Sequence, residues 1–231
     1  MHIRIRIFAV LVAGFVLLGS AFAQETVFNV PSGDILDRGK IYGELDFGYQ
    51  YSDSNASYTP RIVVGLGRQV EAGLNINGIG TPGPSQTILS PAIKWKVYDG
   101  GKNGWAFLVG DTMYLPVQNR TYTTGNYVYA EFAKTWRTGT RATFGAYHFS
   151  RDVVASAQRA GGQFALEQPI NSRLTVATDW YTGNQALGYV TPGAIVKLTP
   201  KLTWYACYEI GNHRASSGNR LFLTELGWNF N

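Results

Sequence analysis

The chain has 231 residues, a formal charge of +5 and one cysteine. So small and scattered a positive surplus argues against a nucleic-acid binder. A lone Cys207 excludes an internal disulfide, and no cluster of Cys and His has metal-ligand spacing, so neither a metal nor another cofactor is expected.

The N-terminus sets the compartment. Arg4 and Arg6 precede the apolar run "IFAVLVAGFVLLGS", and "AFA" at 21–23 supplies small residues for cleavage. This is the pattern of a secretory signal peptide over 1–23. The run falls short of the roughly 20 apolar residues that a membrane helix needs. Cleavage after Ala23 starts the mature chain at Gln24, with no cysteine there to carry a lipid. The next stretch, 24–39, "QETVFNVPSGDILDRG", is long enough to fold into a lumen. It is equally able to hang in the periplasm, which is the favoured expectation.

From Lys40 to the end one grammar repeats: about ten residues alternating apolar with polar, then a turn. "IYGELDFGY" puts Ile41, Gly43, Leu45, Phe47 and Tyr49 on one face and Glu44 and Asp46 on the other. Ile62, Val64 and Leu66, then Val70, Ala72, Leu74 and Ile76, flank the tight turn "GRQ". Ile93, Trp95 and Val97 oppose Lys94 and Lys96, while Val128, Ala130, Phe132 and Trp136 oppose Glu131. Phe164 and Leu166 oppose Glu167, Val176 and Trp180 oppose Asp179, Val196 and Leu198 oppose Lys197, and Trp204, Tyr208 and Ile210 oppose Glu209. "WAFLVGDTMY" and "TRATFGAYHFS" are apolar on both faces and leave their orientation open. The last segment sets Phe222, Leu226, Trp228 and Phe230 against Glu225.

Twelve strands result, and their connections alternate in length. "GRQ", "DGGKNG", "RTG", "PINS" and "TPK" are short. "SDSNAS", "GTPGPSQ", "PVQNRTYTT", "RDVVASAQRA", "TGNQA" and "NHRASSGN" are mostly longer. Outer-membrane barrels sort their loops in this way, with short periplasmic turns and longer outer loops. Strands of about 9–11 residues suit a tilted crossing of the hydrocarbon layer. Aromatics gather toward strand ends as an interfacial girdle would: Tyr49, Tyr51, Tyr58, Tyr114, Trp136, Trp180, Tyr181, Trp228 and Phe230.

On these segments, from about Ile41 to Asn231, the chain resembles a bacterial outer-membrane β-barrel protein, porin-like in the broad sense. The resemblance implies an all-β fold, a closed antiparallel up-and-down transmembrane barrel over 40–231, placed in the outer membrane of a Gram-negative-type bacterium. It implies the barrel-assembly machinery as a partner, although here Phe230 is followed by Asn231 rather than ending the chain. A secreted lipocalin-like barrel or sandwich shares the alternation and would turn the apolar stripes inward.

With the apolar stripes toward lipid, the lumen-lining ionisable residues are Glu44, Asp46, Arg61, Glu71, Lys94, Lys96, Glu131, Glu167, Asp179, Lys197, Glu209 and Glu225. Acids outnumber bases, so a water-filled lumen would favour cations. The alternative is that these groups pair across the lumen and close it. Twelve strands lie between the filled eight-stranded barrel and the open porins. The functional expectation is a passive channel for small solutes, cations favoured, or else a closed structural or surface-binding barrel. In the longer loops Arg120, Arg151, Arg159, His213, Arg214 and Arg220 outnumber Asp53 and Asp152, and suit lipopolysaccharide phosphates.

One pair has catalytic potential. In "AYHFSRD", His148 and Ser150 share a face near a strand end. A His polarising a Ser hydroxyl is the chemistry of ester hydrolysis. The pair resembles the His-x-Ser of outer-membrane lipid A deacylases, with Arg151-Asp152 in place of the Asn-Ala of that family. A rim esterase is therefore carried as an alternative, and no enzyme activity is otherwise expected.

Overall fold

The computed structural model of the protein describes residues 26–52, 54–81, 87–118, 124–150, 153, 158–185, 187–212 and 220–230. The signal peptide, Arg120, Arg151, Asp152, His213, Arg214, Asp53 and Asn231 lie outside these residues.

Alternating polarity along short segments makes strands, and each strand is satisfied by its sequence neighbours. The elements are β1 (Ile41–Gln50), β2 (Asn55–Gly67), β3 (Val70–Asn77), β4 (Ile79–Thr81), β5 (Ile88–Asp99), β6 (Trp105–Pro116), β7 (Gly125–Thr135), β8 (Arg141–Phe149), β9 (Ala160–Pro169), β10 (Leu174–Tyr181), β11 (Tyr189–Lys197), β12 (Leu202–Gly211) and β13 (Arg220–Asn229). β3 and β4 both pair with β2 and are parted only by Gly78 at φ 76°, so they occupy one barrel position. The result is a closed antiparallel barrel of twelve strand positions. Every ladder joins consecutive positions except the last, where β1 meets β13 with Tyr42 opposite Asn229 and Gln50 opposite Leu221. Closure pairs the first strand with the last, as a sheet in lipid requires.

Turn chemistry explains the short end. Gly67, Arg68 and Gln69 all adopt positive φ, at 86°, 53° and 63°. Two successive left-handed residues give the primed turn whose twist matches flanking strands. The connections 100–104, 136–140, 170–173 and 198–201 emerge at this same end, beside the start of β1.

The two faces have opposite characters. Leu45, Ile62, Leu66, Ile93, Trp95, Phe132, Phe164, Val176, Trp204, Phe222, Leu226 and Trp228 are all exposed on the outer surface. Glu44, Asp46, Glu71, Glu131, Asp179, Glu209 and Glu225 are buried inside. A soluble barrel would reverse this arrangement, so the lipocalin-like alternative is excluded. The belt is far larger than the apolar patches that soluble monomers leave in water.

The two ambiguous strands are settled by burial and neighbours. On β6 Leu108, Thr112 and Tyr114 face inward, while Trp105 and Met113 face out. On β8 Thr143, Tyr147 and Phe149 are inward, while Phe144 and His148 face out. Two aromatics expected in the girdle are corrected: Tyr114 and Tyr181 line the lumen. Their side-chain parity puts them on the inner face, where a packed core gives the rings partners.

Candidate functional site

The barrel encloses its own N-terminal segment. Residues 26–36 run inside the lumen instead of hanging in the periplasm, with 37–39 exposed at its mouth, and Val27, Phe28 and Val30 are fully buried. The reason is visible in what the wall presents. A ring of inward carboxylates needs donors, and a segment with free backbone N–H groups supplies them.

At its tip the segment makes a tight turn, Val27 N–H donating to the Val30 carbonyl at 2.8 Å. The turn aims three consecutive N–H groups, of Phe28, Asn29 and Val30, at Asp179 Oδ2, at 3.0, 2.6 and 2.8 Å. Asn29 Nδ2 also donates to Glu209 Oε1 at 2.8 Å and to Thr191 Oγ1 at 3.2 Å. The apolar side chains of the tip pack with Tyr127, Tyr147, Phe149, Tyr181, Ile195, Tyr205 and Cys207. An added Cβ at Gly193 would fall 2.7 Å from the Phe28 ring, so the wall is bare of side chain where the tip docks.

Lower down, Leu36 N–H donates to Glu71 Oε2 at 2.8 Å, and Lys94 pairs with Glu71 Oε1 at 2.8 Å. Lys94 Nζ also reaches the Ser32 carbonyl at 3.3 Å. Arg141 grips Glu167 with two 2.7 Å bonds and Asp34 at 2.6 Å. Burial is the largest influence and would raise the Asp34 carboxyl, but the charge and hydrogen bond of Arg141, together with the charges of Lys96 and Lys94, outweigh it and hold the group below its ordinary value. At the base, Gly39 N–H and the Gly65 carbonyl pair at 2.8 Å, with Gly65 N–H returning to Lys40 at 3.0 Å. A Cβ on Gly65 would sit 2.0 Å from the Asp37 carbonyl, so only glycine admits the segment there.

Among the described residues, two recesses lie beside the segment. The larger, roughly 450 Å³, is lined by Tyr114, Tyr127, Tyr129, Asn75, Asn77 and Ser90 among others, toward the long-loop end. The smaller, roughly 200 Å³, opens at the short-turn end between Asp34, Lys96, Asp99 and Arg141. Both follow β5, β6 and β7. Along those strands they are separated by one layer, in which Leu108, Glu131 and Ser32 are buried, while Lys94 borders the larger recess.

The expected lumen-lining residues lie as follows. Glu44 and Asp46 pair with Arg61 at 2.8 and 3.0 Å. Glu131 accepts from Gln163 Nε2 at 2.6 Å. Lys96 lies at the smaller recess, and Lys197 faces inward, partly exposed. Glu225 is buried, and among the described residues neither of its oxygens has a hydrogen-bond partner. Most of these acids are thus engaged by Arg, Lys or the segment and are not bare charges on an open wall. Arg141 was missed because β8 is apolar on both faces. The inner tyrosines were missed because alternation marks polar residues, and a tyrosine does not declare its side.

His148 and Ser150 lie at the outer end of β8. His148 is exposed on the outer face, and Ser150 Oγ accepts from Asn126 N–H at 3.0 Å. Among the described residues no hydrogen bond links the two, and Arg159 and Arg220 are the only loop arginines of the expected set within view.

No protein-family model and no curated protein matches the chain in sequence. Among solved structures the barrel is similar to the NanC porin, with a TM-score of 0.54 and 13% identity, covering 82% of this chain and 99% of that one. It is also similar to an outer-membrane channel from Pseudomonas putida F1, with a TM-score of 0.53 and 12% identity, covering 87% of this chain and 100% of that one. At such identities the likeness is one of fold, that of an outer-membrane-type β-barrel.

Proposed function

We propose that the protein is a passive outer-membrane channel for small solutes whose bore is set by its own N-terminal segment. The observation that carries this reading is the pair of recesses in line along β5, β6 and β7, divided by a single layer of side chains. A barrel built only to be solid would have no need of voids at both mouths, one of them within the size range of small-molecule pockets. Its solved fold neighbours, a porin and a channel, support the same reading.

The acids of the lumen bear on selectivity. With the segment docked, Asp179, Glu209 and Glu71 are neutralised or hydrogen-bonded by it or by Lys94. Their charge becomes available to a passing ion only where the segment withdraws. Cation preference therefore belongs to the open lumen. The dividing layer favours a second reading, a closed structural barrel.

Planar-bilayer recording separates the two. The mature chain is expected to show small or brief conductance. A chain lacking 24–38 is expected to conduct several-fold more, with a reversal potential favouring cations. Bare-bilayer current from both proteins, each shown folded by heat-modifiable gel mobility, would remove the channel reading and leave the closed barrel.

A further inference from the structure

Across the seam that closes the barrel, the register brings acids together. Asp46 of β1 stands directly opposite Glu225 of β13, and Glu44 lies two residues along β1 on the same inner face. Like charges directly opposed across a ladder are destabilising. Arg61, from β2 on the other flank of β1, reaches Glu44 Oε1 at 2.8 Å and Asp46 Oδ2 at 3.0 Å. The Tyr42 hydroxyl donates to the remaining oxygen of Glu44.

Nothing comparable reaches Glu225. It is 1% exposed, and among the described residues neither of its carboxylate oxygens has a hydrogen-bond partner. A carboxylate sealed from water without a partner is among the most unfavourable groups a protein can hold. Its one distinguishing feature is direction: it points at Glu44 and Asp46, and each of the three offers an oxygen within 4.8 Å of the others. Three carboxylates against one guanidinium leave two negative charges in a buried space.

We propose that Glu44, Asp46 and Glu225 form a divalent-cation site, of calcium type, that clasps the first strand of the barrel to the last. Oxygens spaced within 4.8 Å of one another can all lie about 2.3–2.6 Å from one central ion, the Ca²⁺–oxygen distance. The donor set is all hard oxygen, without the sulfur or imidazole that zinc prefers. Magnesium holds its water shell tightly and demands an octahedron, which a dry site of three carboxylates beside an arginine does not supply. Two charges on the ion balance the two left over. The ion also connects to the lumen segment, because Arg61 Nη1 reaches Thr26 Oγ1 at 2.9 Å while holding Glu44. The inference is independent of whether the barrel conducts.

The test uses the full mature chain, folded in detergent free of lipopolysaccharide and stripped with EDTA. Calcium chloride is titrated by calorimetry, and the temperature at which the folded gel band converts is read in parallel. The expected result is saturable binding of one Ca²⁺ per chain and a rise of several degrees at roughly 1 mM Ca²⁺, with a smaller rise from Mg²⁺. Glu225→Gln is expected to abolish both signals, while Glu209→Gln, on an acid elsewhere in the lumen, keeps both. Absence of saturable binding to the wild type overturns the site whatever the variants do. So does binding that survives in Glu225→Gln, which would place the ion elsewhere. A Glu225→Gln chain that, in EDTA, is more heat-resistant than a wild type indifferent to calcium would show a proton shared among the acids and no ion. Should Glu225→Gln not fold, Asp46→Asn replaces it with the same required outcome.

Discussion

At the scale of single residues, Asp179 is the group on which the lumen segment turns. One carboxylate oxygen accepts three consecutive backbone N–H groups, from Phe28, Asn29 and Val30. Hydrogen bonds to a charged acceptor contribute more than neutral ones, about 1.5–3 kcal/mol each. An amide at this position loses the charge and turns a donor toward donors. Asp179→Asn is therefore expected to weaken tip docking by about 2 kcal/mol, roughly a thirtyfold shift toward the undocked segment. In bilayer recordings this reads as more time in the higher-conductance state. An unchanged open fraction would mean that the tip is held by Phe28 and its aromatic neighbours and not by Asp179. That Asp179 faces inward was legible in "RLTVATDWY", because alternation fixes the side. That it binds backbone was not, because its partners lie some 150 positions away and carry no pattern of their own. The same distance concealed the company of Glu225: its side was readable, its neighbours Glu44 and Asp46 were not. Arg141 escaped altogether, since a strand apolar on both faces gives no parity to read.

At the scale of elements, the strands declare themselves and the segment does not. Twelve runs of about ten residues, ten of them with period two, separated by turn residues, determine element type and order, and the barrel found has those twelve positions. Residues 26–39 lack periodicity and form only the small bridge between Thr26 and Pro31. Their course becomes readable from the wall instead. Inward glycines in β2 and β11 leave room where a strand would ordinarily carry a side chain, and the segment fills both places. Gly65 is the stricter of the two, because its backbone pairs with Gly39 and Lys40 while the Asp37 carbonyl lies against its Cα. Gly65→Ala is expected to displace the base of the segment while leaving the β2 ladder intact, since alanine is an ordinary strand residue. Limited proteolysis checks this: cleavage within 33–40 should become at least several-fold faster, with the folded gel band still heat-modifiable. Equal cleavage rates would show that the base yields to a methyl group and that glycine there is incidental.

At the scale of the whole molecule, the governing fact is direction. Side chains that a soluble domain would hide are displayed around the outside, and the ionisable ones converge on the axis with the segment among them. Stability of such a barrel depends on its solvent: the belt contributes only when lipid or detergent covers it, and an outward charge is penalised in proportion to its depth. Leu45 sits mid-strand on β1, 48% exposed on the belt, between the inward Glu44 and Asp46. Leu45→Arg is accordingly expected to destabilise the barrel by about 2–4 kcal/mol, the penalty for an arginine near the bilayer midplane. A lysine or arginine nearer the rim, such as Lys134, which donates to the Asn103 carbonyl at 2.9 Å, is tolerated because its head reaches water and backbone. Urea titration of the protein folded into lipid vesicles measures the difference directly. A Leu45→Arg chain as stable as the wild type would place that position outside the hydrocarbon layer. The belt would then have to be shifted along the barrel axis, toward one rim. A second scan of outward residues along β1, from Ile41 to Tyr49, would locate it by the depth at which the arginine penalty peaks.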